Sequence, residues 1–289
     1  MSLTRIFSVV FYYHFAFLAI SIALFGLGAG GVFSYVVAKW PAELFTKLGA
    51  IAIAGSASVV ASLAFLLAQH GDLNAPTLAA IYIASALPFF LAGTIVSLAI
   101  SEAIERVDRA YFFDLAGAAS GCLLLIPFLN YFGGPNAVIS AAVFYAIAAS
   151  MWFNLGGQAK RRAGAVIFAL LLVALMVMNG KSHWLDVRYA KGAKLPPERF
   201  VAWNSFSRIG VHFEGGWMIV IDGDASTGIA PYDWDHLTPE EHFQLSFNGP
   251  GAPYVVRPGA KTLVIGPGGG WDVARALGSG SRDITAVEI

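Results

Sequence analysis

Apolar positions fill the first 180 residues in long unbroken runs, then give way after Lys181 to short alternating segments. A helix crossing the hydrocarbon core of a bilayer needs about 20 mostly apolar residues. The stretch enclosed by Arg5 and Lys39 exceeds that length. Further runs lie at Leu48 to Gln69, Thr77 to Ser101, Leu115 to Tyr131, Ala137 to Leu155 and Ala163 to Asn179. The pattern predicts a helical membrane bundle of six transmembrane helices over residues 1–180. "YFGGPN" at 131–136 is the expected turn between the fourth and fifth, because two glycines and a proline do not continue a helix cheaply. Trp40, Trp152 and Trp184 fall at span ends, where their amphipathic rings suit the headgroup level.

Residues 181–289 read as a second, α/β domain. "RIGVHFEGGWMIVI" alternates apolar and polar positions about an "EGG" turn and predicts a β-hairpin over 208–222. "LTPEEHFQLSF" predicts a helix start with Thr238 as cap, Pro239 in the first turn and Glu241 completing a capping box. "KTLVIGPGGGWDVARALGSGSRDITAVEI" at 261–289 then reads as strand, glycine loop, helix and strand, the opening β-α-β of a Rossmann-like fold.

Composition agrees with this division. The chain is 57% hydrophobic and only 12% charged, half the roughly 25% charge of soluble domains. The charges are uneven: 8 Lys/Arg and 6 Asp/Glu in residues 1–180, 10 and 12 in residues 181–289. With zero net charge and no basic stripe to neutralise phosphates, nucleic acid is not an expected partner. The lipid bilayer is. A single cysteine, Cys122, excludes an intramolecular disulfide and a cysteine-based zinc site. Lys39, Lys47, Arg106, Arg109, Lys160, Arg161 and Arg162 follow spans one, three and five, which by the positive-inside rule puts both termini outside. A nucleotide-type cofactor argues for the opposite side.

Several motifs compete for chemical attention. "GLGAGG" at 26–31 matches a dinucleotide fingerprint in letters, but it has no preceding strand and lies in a membrane run, so close helix packing is the expectation. "GAASG" at 117–121 has the small-xxx-small spacing and is also expected to pack. Asp114 lies near a span end, within reach of the interface, and His14 reads as a packed or interfacial histidine. Asp233, Asp235, His236, Glu240 and His242 form no tidy ligand face, and no metal is expected.

The glycine loop carries the stronger signal. Gly266, Gly268 and Gly270 allow a tight turn and close backbone approach to a ligand, and the following helix points its free N–H groups into the same space. Glu288 ends the next strand, where a carboxylate accepts hydrogen bonds from ribose hydroxyls. Trp271 stands where dinucleotide folds need glycine or alanine, and no Gly-Lys-Ser/Thr closes this glycine loop, so the pattern suits an S-adenosylmethionine-type ligand.

Together with "WNSFSRIGVHF" (203–213), "WMIVIDGDAST" (217–227), "EEHFQLSF" (240–247) and two membrane segments, "ALFGLGAGGVFSYV" and "YFFDLAGAASGCLLLIPFLNYFGGP", this loop resembles the spermidine/spermine synthase (polyamine aminopropyltransferase) family. The likeness is to bacterial members with a multi-span membrane region ahead of the synthase-like domain. It implies a membrane-anchored transferase of the bacterial inner membrane. Gly266, Gly268, Gly270 and Glu288 would hold decarboxylated S-adenosylmethionine or methylthioadenosine, as substrate rather than prosthetic group, and a small-molecule amine would be the nucleophile. Three family positions differ: Ser226 replaces a glutamine, Phe243 and Leu245 replace a Tyr-x-Glu pair, and Gly269 replaces an aspartate. The family's catalytic aspartates lie beyond Ile289, so the resemblance also implies a truncated chain, inactive as the isolated 289 residues. A class I methyltransferase on the same fold, and a transport or scaffold protein with a non-catalytic synthase-like domain, are the alternatives.

Overall fold

The structure, a computed structural model, describes residues 2–70, 74–233, 236–247 and 249–288. Contacts divide the chain into two units. One comprises Met1–Leu195 with Ala202–Arg208, the other Pro196–Val201 with Ile209–Ile289.

The first unit is helical. The run before Lys39 forms two helices, α1 (Ser2–Val10) and α2 (Phe15–Ala38). α1 is too short to span a bilayer and is packed inside the unit, with Ile6, Phe7 and Val9 fully buried. His14 sits at the break, its ring stacked on Tyr12 at 5.6 Å. Then come α3 (Leu44–Leu67), α4 (Ala75–Glu102), α5 (Val107–Leu155) and α6 (Ala159–Ser182). Among the described residues five helices, α2 to α6, are therefore long and apolar enough to cross a membrane.

The expected turn at 131–136 takes the form of an interruption within α5, where Gly133 has φ 77° and ψ 170°. Unbroken, 49 residues would run roughly 74 Å, more than twice the ~30 Å hydrocarbon core. The side chain of Trp203, which belongs to the same unit, covers this break: a Cβ at Gly134 would lie 2.7 Å from its ring.

Polar side chains inside the helical unit repair or tie backbone. Pro88 lacks the N–H that would bond the Ala84 carbonyl, and the Ser62 hydroxyl from α3 donates to that carbonyl at 2.5 Å. Tyr145 donates to the Pro88 carbonyl at 2.8 Å. Asn179 on α6 donates to Asn136 on α5 at 2.9 Å, while its carbonyl accepts the Leu185 N–H at 2.7 Å.

The helical glycines separate into two groups. Gly26 and Gly30 on α2 face α4 so closely that a Cβ at Gly30 would overlap the Phe90 carbonyl, and Gly93 on α4 meets Leu27 in the same way. The packing expected of "GLGAGG" is thus present, reinforced by the Thr94 hydroxyl donating to the Gly30 carbonyl at 3.1 Å. The packing expected of "GAASG" is not. Cβ positions at Gly117 and Gly121 meet nothing within 4 Å, because the first half of α5 is exposed along nearly its whole length.

After α6 come a two-residue hairpin, β1 (Tyr189–Ala190) with β2 (Ala193–Lys194), and four strands: β3 (Phe200–Trp203), β4 (Arg208–Phe213), β5 (Trp217–Ile221) and β6 (Ala225–Gly228). The four are ordered β3-β4-β5-β6. The anticipated hairpin is β4–β5, with Val211 opposite Ile219 and Phe213 opposite Trp217. Sequence reading missed β3 and β6; β6 follows a three-residue turn, Asp222 to Asp224, in which Asp222 and Gly223 have positive φ and Asp224 N–H donates to the Ile221 carbonyl at 3.1 Å.

The rest of the second unit is α7 (Pro239–Phe247), α8 (Ala252–Val256), β7 (Thr262–Ile265), α9 (Trp271–Gly278) and β8 (Ile284–Val287). The capping box at α7 forms: Thr238 N–H donates to the Glu241 carboxylate at 2.7 Å, and Glu241 N–H donates to the Thr238 hydroxyl at 3.3 Å. The Thr238 N–H, and after it the Thr238 hydroxyl at 2.9 Å, bond the Glu241 carboxylate and hold its pKa below the ordinary value. β7 and β8 pair in parallel, Thr262 with Ile284 and Ile265 with Val287. They form a two-stranded sheet. Leu263, Ile265 and Val287 remain exposed.

Candidate functional site

The loop between β7 and α9 owes its shape to three left-handed residues, Gly266 (φ 71°), Gly268 (φ 49°) and Gly270 (φ 85°). A side chain at any of them would be strained by its Cβ against the neighbouring carbonyl. Gly266 N–H donates to the Val287 carbonyl at 2.8 Å, which extends the β7–β8 pairing into the loop. Gly270 N–H donates to Pro267 at 2.8 Å, closing the turn before α9 begins. Gly266 and Gly268 are exposed.

Glu288, just past β8, reaches this loop. Its carboxylate accepts the Gly268 N–H at 3.0 Å. The four residues singled out from sequence therefore converge at one end of the β7–β8 pair, three through backbone and one through a carboxylate.

What the sequence reading missed is the opposite wall. Gly269 is buried against the end of β6, where a Cβ would overlap the Gly228 carbonyl. Ala230 N–H donates to the Gly269 carbonyl at 2.9 Å. The Trp271 indole N–H donates to the Gly228 carbonyl at 2.7 Å, and the Tyr232 ring meets the indole edge-on at 5.7 Å. Trp271 therefore turns its bulk toward the hairpin end rather than between helix and strand. The run of three glycines was the available signal that one of them excludes a side chain for packing. Its partner, 41 residues earlier, was not legible.

Of the other candidates, Thr227 lies beside the loop, its methyl 3.4 Å from a Cβ position at Gly268, and Ser226 is exposed on β6. Leu245 is buried at 3% exposure with Ala230 and Ala274, so it faces the core, whereas Phe243 is exposed. Asp272 is paired with Arg275 at 3.0 Å. Tyr254 is raised above its ordinary value by partial burial and then by the Asp272 charge, with Arg275 opposing. Among the described residues no three His, Cys, Asp or Glu side chains form a metal-binding group. Asp235, one of the acidic residues weighed for a metal, lies outside the described residues.

No family model, curated protein or solved structure matches this chain.

The geometry offers a side-chain-free backbone surface, its Gly266, Gly268 and Gly270 N–H groups bonded within the fold, and a carboxylate on one side, with the β6 end and an aromatic pair on the other.

Proposed function

We propose that this protein is a membrane-anchored transferase of the spermidine synthase type, whose second unit is a Rossmann-like domain taking an S-adenosylmethionine-type ligand, either decarboxylated S-adenosylmethionine as donor or the methylthioadenosine that transfer leaves behind. The observation that carries this reading is the left-handed loop Gly266–Gly268–Gly270 between parallel strands, with Glu288 bonded to its centre at 3.0 Å. Gly266, Gly268 and Gly270 form the floor of the donor site, and Glu288 accepts the ribose hydroxyls. The membrane region crosses six times, with α5 contributing two crossings that meet at Gly133. The bacterial inner membrane is the proposed location.

A second reading, a domain of this shape without chemistry, is favoured by two positions. Leu245 is committed to the core, and Gly269 has no room for a side chain. Neither supplies a polar group for an amine.

Calorimetry of the purified chain with methylthioadenosine tests the donor site. Glu288→Ala should cost about 1.5–3 kcal/mol of binding, the worth of a hydrogen bond to a charged group. That loss should disappear for the 2′,3′-dideoxy analogue, which has no hydroxyls to lose. Equal affinity of parent and variant for methylthioadenosine would remove Glu288 from the ribose role, and no binding to the parent would remove the donor assignment.

A further inference from the structure

A cleft of about 600 Å³ opens where the α2–α3 connection meets the α5–α6 connection, lined by Glu43, Thr46, Gln158, Lys160 and Arg161 among others. That volume falls within the range of small-ligand sites. The cleft lies wholly within the helical unit. The Gln158 amide touches the Thr46 hydroxyl and its carbonyl accepts from Arg161 at 3.0 Å, which fixes one wall. Lys160 makes no hydrogen bond or ion pair among the described residues.

Charge at this end of the bundle is strongly positive. Arg162 donates to Asn154 at 3.0 Å and Lys47 to the Ala38 carbonyl at 2.9 Å, so both guanidinium and ammonium are held to their neighbours and their charge stays at this end. Glu43 is the one carboxylate of the lining. Both α3 and α6 begin at the cleft, and neither has a side-chain cap, so the positive ends of two helix dipoles lie beside it. Beside it, Met151, Leu155 and Ile167 are exposed and apolar.

We propose that this cleft binds the headgroup of an anionic phospholipid, with Lys160 and Arg161 on the phosphate and the acyl chains along the apolar flank of α5 and α6. Basic pockets between transmembrane helices on the positive face of a membrane protein suit such headgroups. The exposed apolar surface next to the cations favours a lipid over a free phosphate, which has no use for that flank.

The test is tryptophan quenching of the full-length protein in zwitterionic bicelles titrated with brominated phosphatidylglycerol or brominated phosphatidylcholine; Trp40 and Trp152 lie at this end. The parent should prefer phosphatidylglycerol, and Lys160→Gln with Arg161→Gln should weaken that preference about fivefold per charge removed. Lys160→Arg and Arg161→Lys should keep it. Unchanged quenching by phosphatidylcholine shows that each variant is folded. A parent without preference, or a double glutamine variant that retains it, overturns the site. Loss of the parent's preference in millimolar inorganic phosphate at constant ionic strength overturns the lipid as its occupant.

Discussion

Glycine does two different jobs in the two units. On α2 and α4, Gly26, Gly30 and Gly93 have ordinary helical backbone, and what matters is the missing Cβ: each lies against the backbone of the facing helix. In the β7–α9 loop, Gly266 and Gly270 have open space where a Cβ would go, and what matters is the left-handed φ. Gly269, one residue from both behaviours, belongs with the membrane glycines, because the β6 end presses on it. In the bilayer, helices gain no hydrophobic drive from meeting each other, so close backbone approach provides the attraction. In the loop, glycine supplies a backbone conformation that other residues adopt only at a cost.

The comparison breaks most readily at Gly30. Gly30→Ala should push α2 from α4 and cost about 3 kcal/mol, the upper range of overpacking, read as a lower midpoint in detergent-induced unfolding of the reconstituted protein. Gly28→Ala, two residues earlier with nothing within 4 Å, should be neutral or stabilising by about 0.5–1 kcal/mol. Equal losses at both positions would mean that α2 and α4 do not meet through Gly30.

Within the loop the two mechanisms predict different rescue. Gly269→Ala should cost about 2 kcal/mol by overpacking against Gly228, and a smaller partner cannot relieve it because the obstacle is a carbonyl. Gly270→Ala should cost roughly 1–2 kcal/mol through its left-handed backbone. Gly270→Asn, which tolerates that backbone, should recover part of the loss. Thermal unfolding of each variant measures both, and an asparagine no better than alanine would remove the conformational argument.

The smallest effect is expected at Trp271. Trp271→Phe keeps an aromatic ring for Tyr232 but leaves the Gly228 carbonyl without its indole donor, a loss of about 1 kcal/mol. Slower amide exchange at Ala230 in the variant than in the parent would contradict the tie between loop and β6.

Much of this architecture was legible in order. Long uncharged runs specify span-length apolar helices because the bilayer demands internal hydrogen bonding over a fixed thickness, and among the described residues five helices are long and apolar enough to cross. Alternation about "EGG" specified β4 and β5, and the Thr238–Glu241 spacing specified the cap of α7, since both depend on residues a few positions apart. Gly266, Gly268, Gly270 and Glu288 were identifiable because left-handed turns need glycine and because one crossover helix sets the distance from loop to carboxylate. Tertiary structure alone decided the rest. That Gly30 packs while Gly117 does not, that α1 is an internal helix rather than part of a span, that Ser62 serves a carbonyl orphaned by Pro88, and that Trp271 reaches Gly228 all depend on which surfaces meet across 22 or more residues. Local pattern fixes a residue's backbone and periodicity; the neighbour that gives its side chain, or its lack of one, an energetic consequence is supplied by packing.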